Sequence, residues 1–187
     1  MTYVIDCRKN WAMAEEYLST EDDPRRKQIL ECIIAHAKAE AKPDFEALMA
    51  TVSDRAKYVT YADGAGEEHS PTGKDGVAAY YTMIVESGMN HIEHACERMA
   101  VGKDTITTEG EMKMAYPGAV LDQMGIEVPD PNALYIYETR LLIVWGFDEA
   151  GLVICEDSYD GGGPKYEGIA DRAVTMDQIY QYTGDTA

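Results

Sequence analysis

Apolar residues recur at helical spacing through the first half of the chain. Ile29, Cys32, Ile33, His36, Ala37 and Glu40 fall on one helix face. Asp22, Asp23 and Pro24 supply a cap followed by proline at a first helical position. Ahead of them Asn10 can cap a short helix that buries Trp11, Ala14 and Leu18. Beyond Pro43, the stripe Phe45, Leu48, Met49 and Val52 predicts another helix. Ala56–Asp63 has β-type composition and runs into the turn residues Gly64, Gly66 and Pro71. After Gly73, the residues Val77, Tyr81, Ile84, Val85 and Gly88 share one face of a further helix.

The second half changes period. His91–Val101 and Thr105–Tyr116 are two strand-like runs joined at Gly102-Lys103, a hairpin signal. In the second run Ile106, Thr108, Gly110, Met112 and Met114 alternate with Thr105, Thr107, Glu109, Glu111 and Lys113, one greasy face and one wet face. Leu134–Phe147 is apolar on both faces, as a central strand is. A turn at 148–151 leads into Leu152–Asp160. The chain closes with a glycine run and a short helix, with Thr175 and Gln178 as its capping box and Gly184 as its end.

Helices first and an antiparallel meander afterwards is the α+β layout, with helices packed on one face of a sheet. A twisted, curved sheet with helices on its concave side leaves a closed-ended apolar cavity, where small ligands bind. We expect an N-terminal extension over 1–23 and a single domain over 24–187. The long connection Pro117–Ala133 carries Val120, Leu121, Met124 and Ile126 and reads either as a lid or dimer contact or as a surface insertion with a short helix. Gly161–Gly163 with Pro164-Lys165 lacks the ending of a phosphate loop and reads as a flexible exit from the last strand.

Composition narrows the partners. A chain of 187 residues carrying 16 Lys+Arg and 34 Asp+Glu has a net charge of −18, which argues against nucleic acid and against an anionic membrane surface. No apolar run is long enough for a membrane span, and the N-terminus lacks the pattern of a signal peptide. Cys7, Cys32, Cys96 and Cys155 lie far apart with no metal or redox spacing, so they read as reduced thiols of a cytoplasmic protein, and no metal site is expected. Thirteen tyrosines stand against two phenylalanines, so the aromatic surface mostly carries hydroxyls.

The order of elements, with His36-x-x-x-Glu40, Asp44-Phe45, Leu48, Gly73-x-x-Gly76-Val77, His91, a hairpin, and Phe147-Asp-Glu-Ala-Gly151 before a last strand, resembles the SnoaL-like branch of the nuclear transport factor two-like superfamily. Its relatives include polyketide cyclases, ketosteroid isomerase, scytalone dehydratase and limonene epoxide hydrolase, and the resemblance covers about residues 24 to 160. It implies a cone: a curved mixed sheet wrapped around N-terminal helices (the cystatin-like arrangement), with a deep hydrophobic pocket, no cofactor, and a homodimer. His91, fifteen residues before Ile106, matches the pocket histidine of the dehydratases. Their second histidine would fall near Tyr116, and their Tyr-Asp pair falls at Glu40 and Ala41. The epoxide hydrolase Arg and Asp would fall at Gly110 and Met112, and the isomerase's oxyanion-hole Asp at Ile143, so no relative's full active site is present.

Four sets of groups could carry chemistry. His91 can donate and accept a proton near neutrality; a strand-end histidine held inertly is the plain alternative. His94 lies on the opposite strand face, which disfavours a metal pair. Glu40 and His36, one turn apart on the apolar stripe, would be desolvated if the stripe faces a cavity, which suits Glu40 as general base; a salt bridge at the helix end is the alternative. Glu156, Asp157 and Asp160 form an acidic last strand. One alignment puts Glu156 and Ser158 inward, and the other puts Asp157 inward. Glu138 and Arg140 are expected to face out, leaving Tyr137, Thr139, Leu141, Ile143 and Trp145 as the pocket wall. Met112, Met114 and Ile106 add to that wall, and Tyr58, Tyr61, Tyr80 and Tyr81 could supply phenolic donors to a carbonyl. The expected function is acid–base cyclisation, isomerisation or dehydration of a small hydrophobic cyclic carbonyl compound. The alternative is a non-catalytic binding or dimerisation module of the same fold.

Overall fold

The computed structural model describes residues 3–62, 66 and 70–184; Asp63 and Gly64 lie outside them. Helix α1 spans Lys9–Thr20, α2 Pro24–Ala41, α3 Phe45–Ala50, α4 Gly73–Glu86 and α5 Gly118–Gln123. Strands are β1 Val59–Tyr61, β2 Ile92–Val101, β3 Thr105–Pro117, β4 Leu134–Phe147, β5 Val153–Asp160 and β6 Ala173–Val174. The sheet runs β1-β5-β4-β3-β2, with β6 beside β4. The pairs within β2 to β5 are antiparallel, and β1 joins β5 in parallel, which makes the sheet mixed.

Local chemistry explains most element ends. Asp23 caps α2 by accepting from the backbone N–H groups of Arg25 and Arg26, and Pro24 follows at the first helical position. Asp44 caps α3 through the Ala47 N–H. The capping box of Thr175 and Gln178 forms, but the expected final helix is a single 3-10 turn over Met176–Gln178. Ile179 is drawn into a bridge with Ile5 instead of continuing it. Asn10 is no cap: α1 begins at Lys9, and the Asn10 amide accepts from His94 N–H at 2.7 Å and donates to Ile92 O at 3.4 Å, closing the otherwise open edge of β2. Of the β-type run from Ala56, only Val59–Tyr61 pairs as strand.

The sheet bends around the helices at two bulges. One extra residue, Glu97, interrupts the β2–β3 ladder, and another, Ile154, interrupts β4–β5. Beside the first, a side chain at Gly110 would sit 2.0 Å from the Ala95 carbonyl oxygen, so glycine is required where β2 folds closely over β3. The main core lies between helices and concave face and includes Ile29, Leu30, Ile33, Val77, Trp145 and Phe147. Trp11 and Ala14 of the N-terminal segment belong to that same core. On the outer face Ile5, Ala115, Ile136, Val174 and Ile179 form a second cluster. Arg140 also faces out, paired with Glu109 and, at 2.8 Å, with Glu97; Glu138 pairs with Arg172 at 3.2 Å. No helix among the described residues is long and apolar enough to cross a membrane.

Candidate functional site

The concave face encloses a cavity of about 440 Å³, within the size range of small-molecule sites. Strand alternation builds one wall. Met112, Met114 and Tyr116 come from β3, and Tyr137, Thr139, Leu141, Ile143 and Trp145 from β4. Ile33, Ala37 and Glu40 of α2 and Tyr80, Tyr81 and Ile84 of α4 form the other. β5 contributes Glu156, Ser158 and Asp160. Met124, just past α5, reaches the rim, so the long connection contributes to the cavity.

Two carboxyls meet in this mostly apolar space. Burial pushes Glu40 up to about 7. Burial, then the charge of Glu40, pushes Glu156 up to about 8. The two therefore titrate as a pair near neutrality, with one proton between them. Tyr81 OH lies 2.9 Å from Glu156 Oε2 and 3.0 Å from His36 Nε2. His36 Nδ1 lies 2.8 Å from Thr51 Oγ1, which donates its own proton to Leu48 O at 2.6 Å.

The proton directions in that chain follow from its fixed end. The Thr51 hydroxyl is spent on Leu48 O, so it must accept from His36 Nδ1–H. Burial pushes His36 down to about 4, so the ring is neutral and its Nε2 is an acceptor. Tyr81 then donates to His36 and accepts from Glu156, which completes the chain when Glu156 carries the shared proton. When Glu156 ionises, Tyr81 can turn its single proton to the carboxylate only by leaving His36 Nε2 without a donor.

The other expected site residues divide. Glu40, Glu156, Tyr81, Met112, Met114, Tyr137 and Trp145 line the one cavity. His36 sits behind Tyr81, fully buried; it meets the site through that phenol, through an edge contact with Trp145 at 5.6 Å between ring centroids, and with its Nε2 4.0 Å from Glu156 Oε2. His91 does not reach the cavity: it precedes β2 on the opposite parity and lines a separate pocket of about 240 Å³ with Lys42, Pro43 and Tyr180. The cavity's imidazole is His94, whose Nε2 lies 3.3 Å from Leu141 O. Asp157 lies on the other face of β5 from Glu156. Tyr61 is half exposed and stacks on Tyr159, outside the cavity, and Ile106 is packed into the core below it. Tyr58 is buried with no partner for its hydroxyl among the described residues. His94 was findable, since its β3 partner is Met112, on the greasy face.

Asp160 and Lys165 were also passed over as a cavity pair. Lys165 and Asp160 form an ion pair at the wall. Burial alone would raise Asp160, but Lys165, the Thr139 hydroxyl and Gly162 N–H outweigh it and hold that carboxyl low. Among the described residues no group of three or more His, Cys, Asp or Glu is placed to hold a metal ion.

No family model matches the chain, and no curated protein matches it. Solved structures do. A protein from Anabaena variabilis described as NTF2-like shares 11% identity at a TM-score of 0.55, over 78% of this chain and 97% of that one. The fold is the NTF2-like fold. A computationally designed 17-OHP binder shares it at 14% identity and a TM-score of 0.54, over 71% of this chain and 92% of that one. So does RV0760c from Mycobacterium tuberculosis, solved in complex with estradiol-17beta-hemisuccinate, at 14% identity and 0.54, again over 71% and 92%.

Proposed function

We propose that the chain is a cofactor-independent acid–base enzyme of the SnoaL-like branch, acting on a hydrophobic ring compound at a position next to a carbonyl. The observation that carries this is the pair Glu40 and Glu156 facing one apolar cavity, with Tyr81 on Glu156. Tyr81, its own proton given to His36 Nε2, accepts from Glu156, so the shared proton sits on Glu156 and Glu40 is the base. Glu40 removes the α-proton of the bound ketone. The electrons of that C–H bond move into the carbonyl, and Glu156 donates its proton to the oxygen as the charge develops. The resulting enol takes a proton back at carbon from Glu40, at the same position or, in a conjugated substrate, at a remote one. Glu156 recovers its proton from the enol oxygen. Tyr81, locked by His36, holds the Glu156 carboxyl in place.

The second reading is a binding module without chemistry. It is favoured by the designed binder, in which the same fold serves for holding a small molecule. One experiment separates the two. The protein is incubated in D₂O with para-acetylbiphenyl, an enolisable aryl ketone, and deuterium in the acetyl methyl is followed by NMR. The enzyme reading expects exchange above the buffer rate, falling by about 10²–10⁴ in Glu40→Gln. A ketone that binds, seen as a rise in melting temperature, yet exchanges at the buffer rate leaves only the binding module.

A further inference from the structure

The glycine run 161–163 is tied down. Gly161 N–H donates to Arg140 O at 2.7 Å, Arg140 N–H to Gly162 O at 2.8 Å, and Lys165 N–H to Glu138 O at 2.8 Å. A side chain at Gly163 would come within 3.0 Å of the Thr139 backbone, which is why the strap can lie this close to β4. The strap ends on Lys165, held at a φ of 48°, a left-handed conformation that a residue with a side chain adopts at a cost. Its carbonyl is fixed too, accepting from the Arg172 guanidinium at 2.6 Å. The result is an ammonium on the cavity wall, the one Lys or Arg among the described lining residues of a strongly acidic protein.

Its counter-ion is built with equal care. Asp160 is only 10% exposed. One carboxylate oxygen accepts from Thr139 Oγ1 at 2.7 Å and from Gly162 N–H at 2.9 Å, and the other meets Lys165. Tyr116, Tyr137 and Tyr166 pack beside the pair with ring centroids 4.9–5.7 Å apart, a seat for a flat apolar group. An ammonium and a carboxylate side by side offer one donor and one acceptor. A hydroxyl, which both accepts and donates, matches that arrangement, whereas a bare carboxylate would compete with Asp160.

We propose that Lys165 and Asp160 form a second polar subsite that reads a hydroxyl group at the end of the cavity away from Glu156. It rests on the reading of Glu40 and Glu156 as the carbonyl end. Glu156 and Asp160 are four residues apart on the same face of one strand, a span of about 13 Å, and the concave sheet brings their tips closer than that. The ligand is therefore an elongated ring compound with a carbonyl at one end and a hydroxyl at the other.

The test compares para-acetylbiphenyl with the same ketone carrying a hydroxyl at the far para position, by calorimetric titration of the full chain. The hydroxyl is expected to tighten Kd about tenfold or more. Lys165→Met removes that gain, so the two ketones bind the variant with about the same Kd as each other. The methyl ether, which accepts but cannot donate to Asp160, loses most of the gain on the unmodified protein, a measurement that needs no variant to fold. A parent ketone that binds and exchanges deuterium with no gain from the hydroxyl overturns this subsite alone. A gain that survives in Lys165→Met overturns it as well. Binding of neither ketone overturns the subsite and the proposed function together.

Discussion

Replacing Glu156 with Gln removes one half of the buried carboxyl pair while keeping its shape, and the consequence for stability has a definite sign. Glu156 is raised from 4.5 to about 8 in the folded chain. A group raised in this way stabilises the fold fully below its unfolded value, and that stability is lost as pH climbs through the folded value. For Glu156 the loss runs from about pH 5 upward to about pH 8. Even if only two pH units of that rise are expressed, the loss is about 2.7 kcal/mol. In a chain of 187 residues, each kcal/mol moves the melting temperature by about 2–4 °C, so the effect is about 5–10 °C. The Gln amide can still donate to Tyr81, so the two proteins should melt together at pH 5. At pH 8.5 the variant should melt higher. The comparison cancels the histidines, which are held low by burial in both proteins. Stopping at pH 8.5 avoids Cys7, Cys32 and Cys155, which burial pushes up to about 11 and whose unfolded thiols ionise near 9. Calorimetric melting temperatures for both proteins at half-unit steps of pH make the test. Parallel curves would refute the claim that Glu156 holds its proton in the folded state.

Three further outcomes follow from the same geometry. Tyr81→Phe strips the partner from His36 Nε2 and from Glu156, so it should cost about 1–3 kcal/mol in denaturant unfolding and slow deuterium exchange; an unchanged midpoint would mean the chain is not formed. His91→Ala should leave ketone binding and exchange intact, since His91 lines the smaller pocket; lost exchange would return it to the site. Gly110→Ala drives a methyl to within 2.0 Å of a backbone oxygen that cannot swing aside, so it should cost about 3 kcal/mol or more by forcing the strands apart; a melting temperature equal to the parent's would show that the sheet is not so tightly bent there.

The hairpin, the central strand and the helices were legible because each rests on a local signal. Asp23-Pro24 starts α2, and the wet and greasy alternation of β3 places Met112 and Met114 inward without reference to anything distant. Where the chain's own neighbours compete for a residue, local signals mislead. Asn10 has the chemistry of a cap, but the open edge of β2 takes it. The final helix has a complete capping box, but Ile179 gains more by pairing with Ile5. Lys165 sits in a strap whose shape depends on hydrogen bonds to Glu138 and Arg140, residues more than twenty positions away.

The acid strand shows why parity alone could not choose among Glu156, Asp157 and Asp160. Val153 is in the core, opposite Phe147. Counting from it by twos puts Cys155 and Asp157 inside. The extra residue Ile154 breaks that count: Cys155 pairs with Gly146, Glu156 with Trp145, and everything beyond the bulge changes face. The same device on β2 puts both His94 and Met99 on the cavity wall although they are five residues apart, because Glu97 is the extra residue between them. A bulge is a property of two paired strands, so no pattern within either strand announces it. The bend that makes room for a cavity and the slip that turns Glu156 toward it are thus one structural event. Deleting Ile154 removes the extra residue and leaves Cys155 opposite Gly146 and Glu156 opposite Trp145, so Glu156 is expected to stay inward on a less bent strand; deuterium exchange that persists in the deletion variant checks this, and its complete loss in a chain that still folds would refute it.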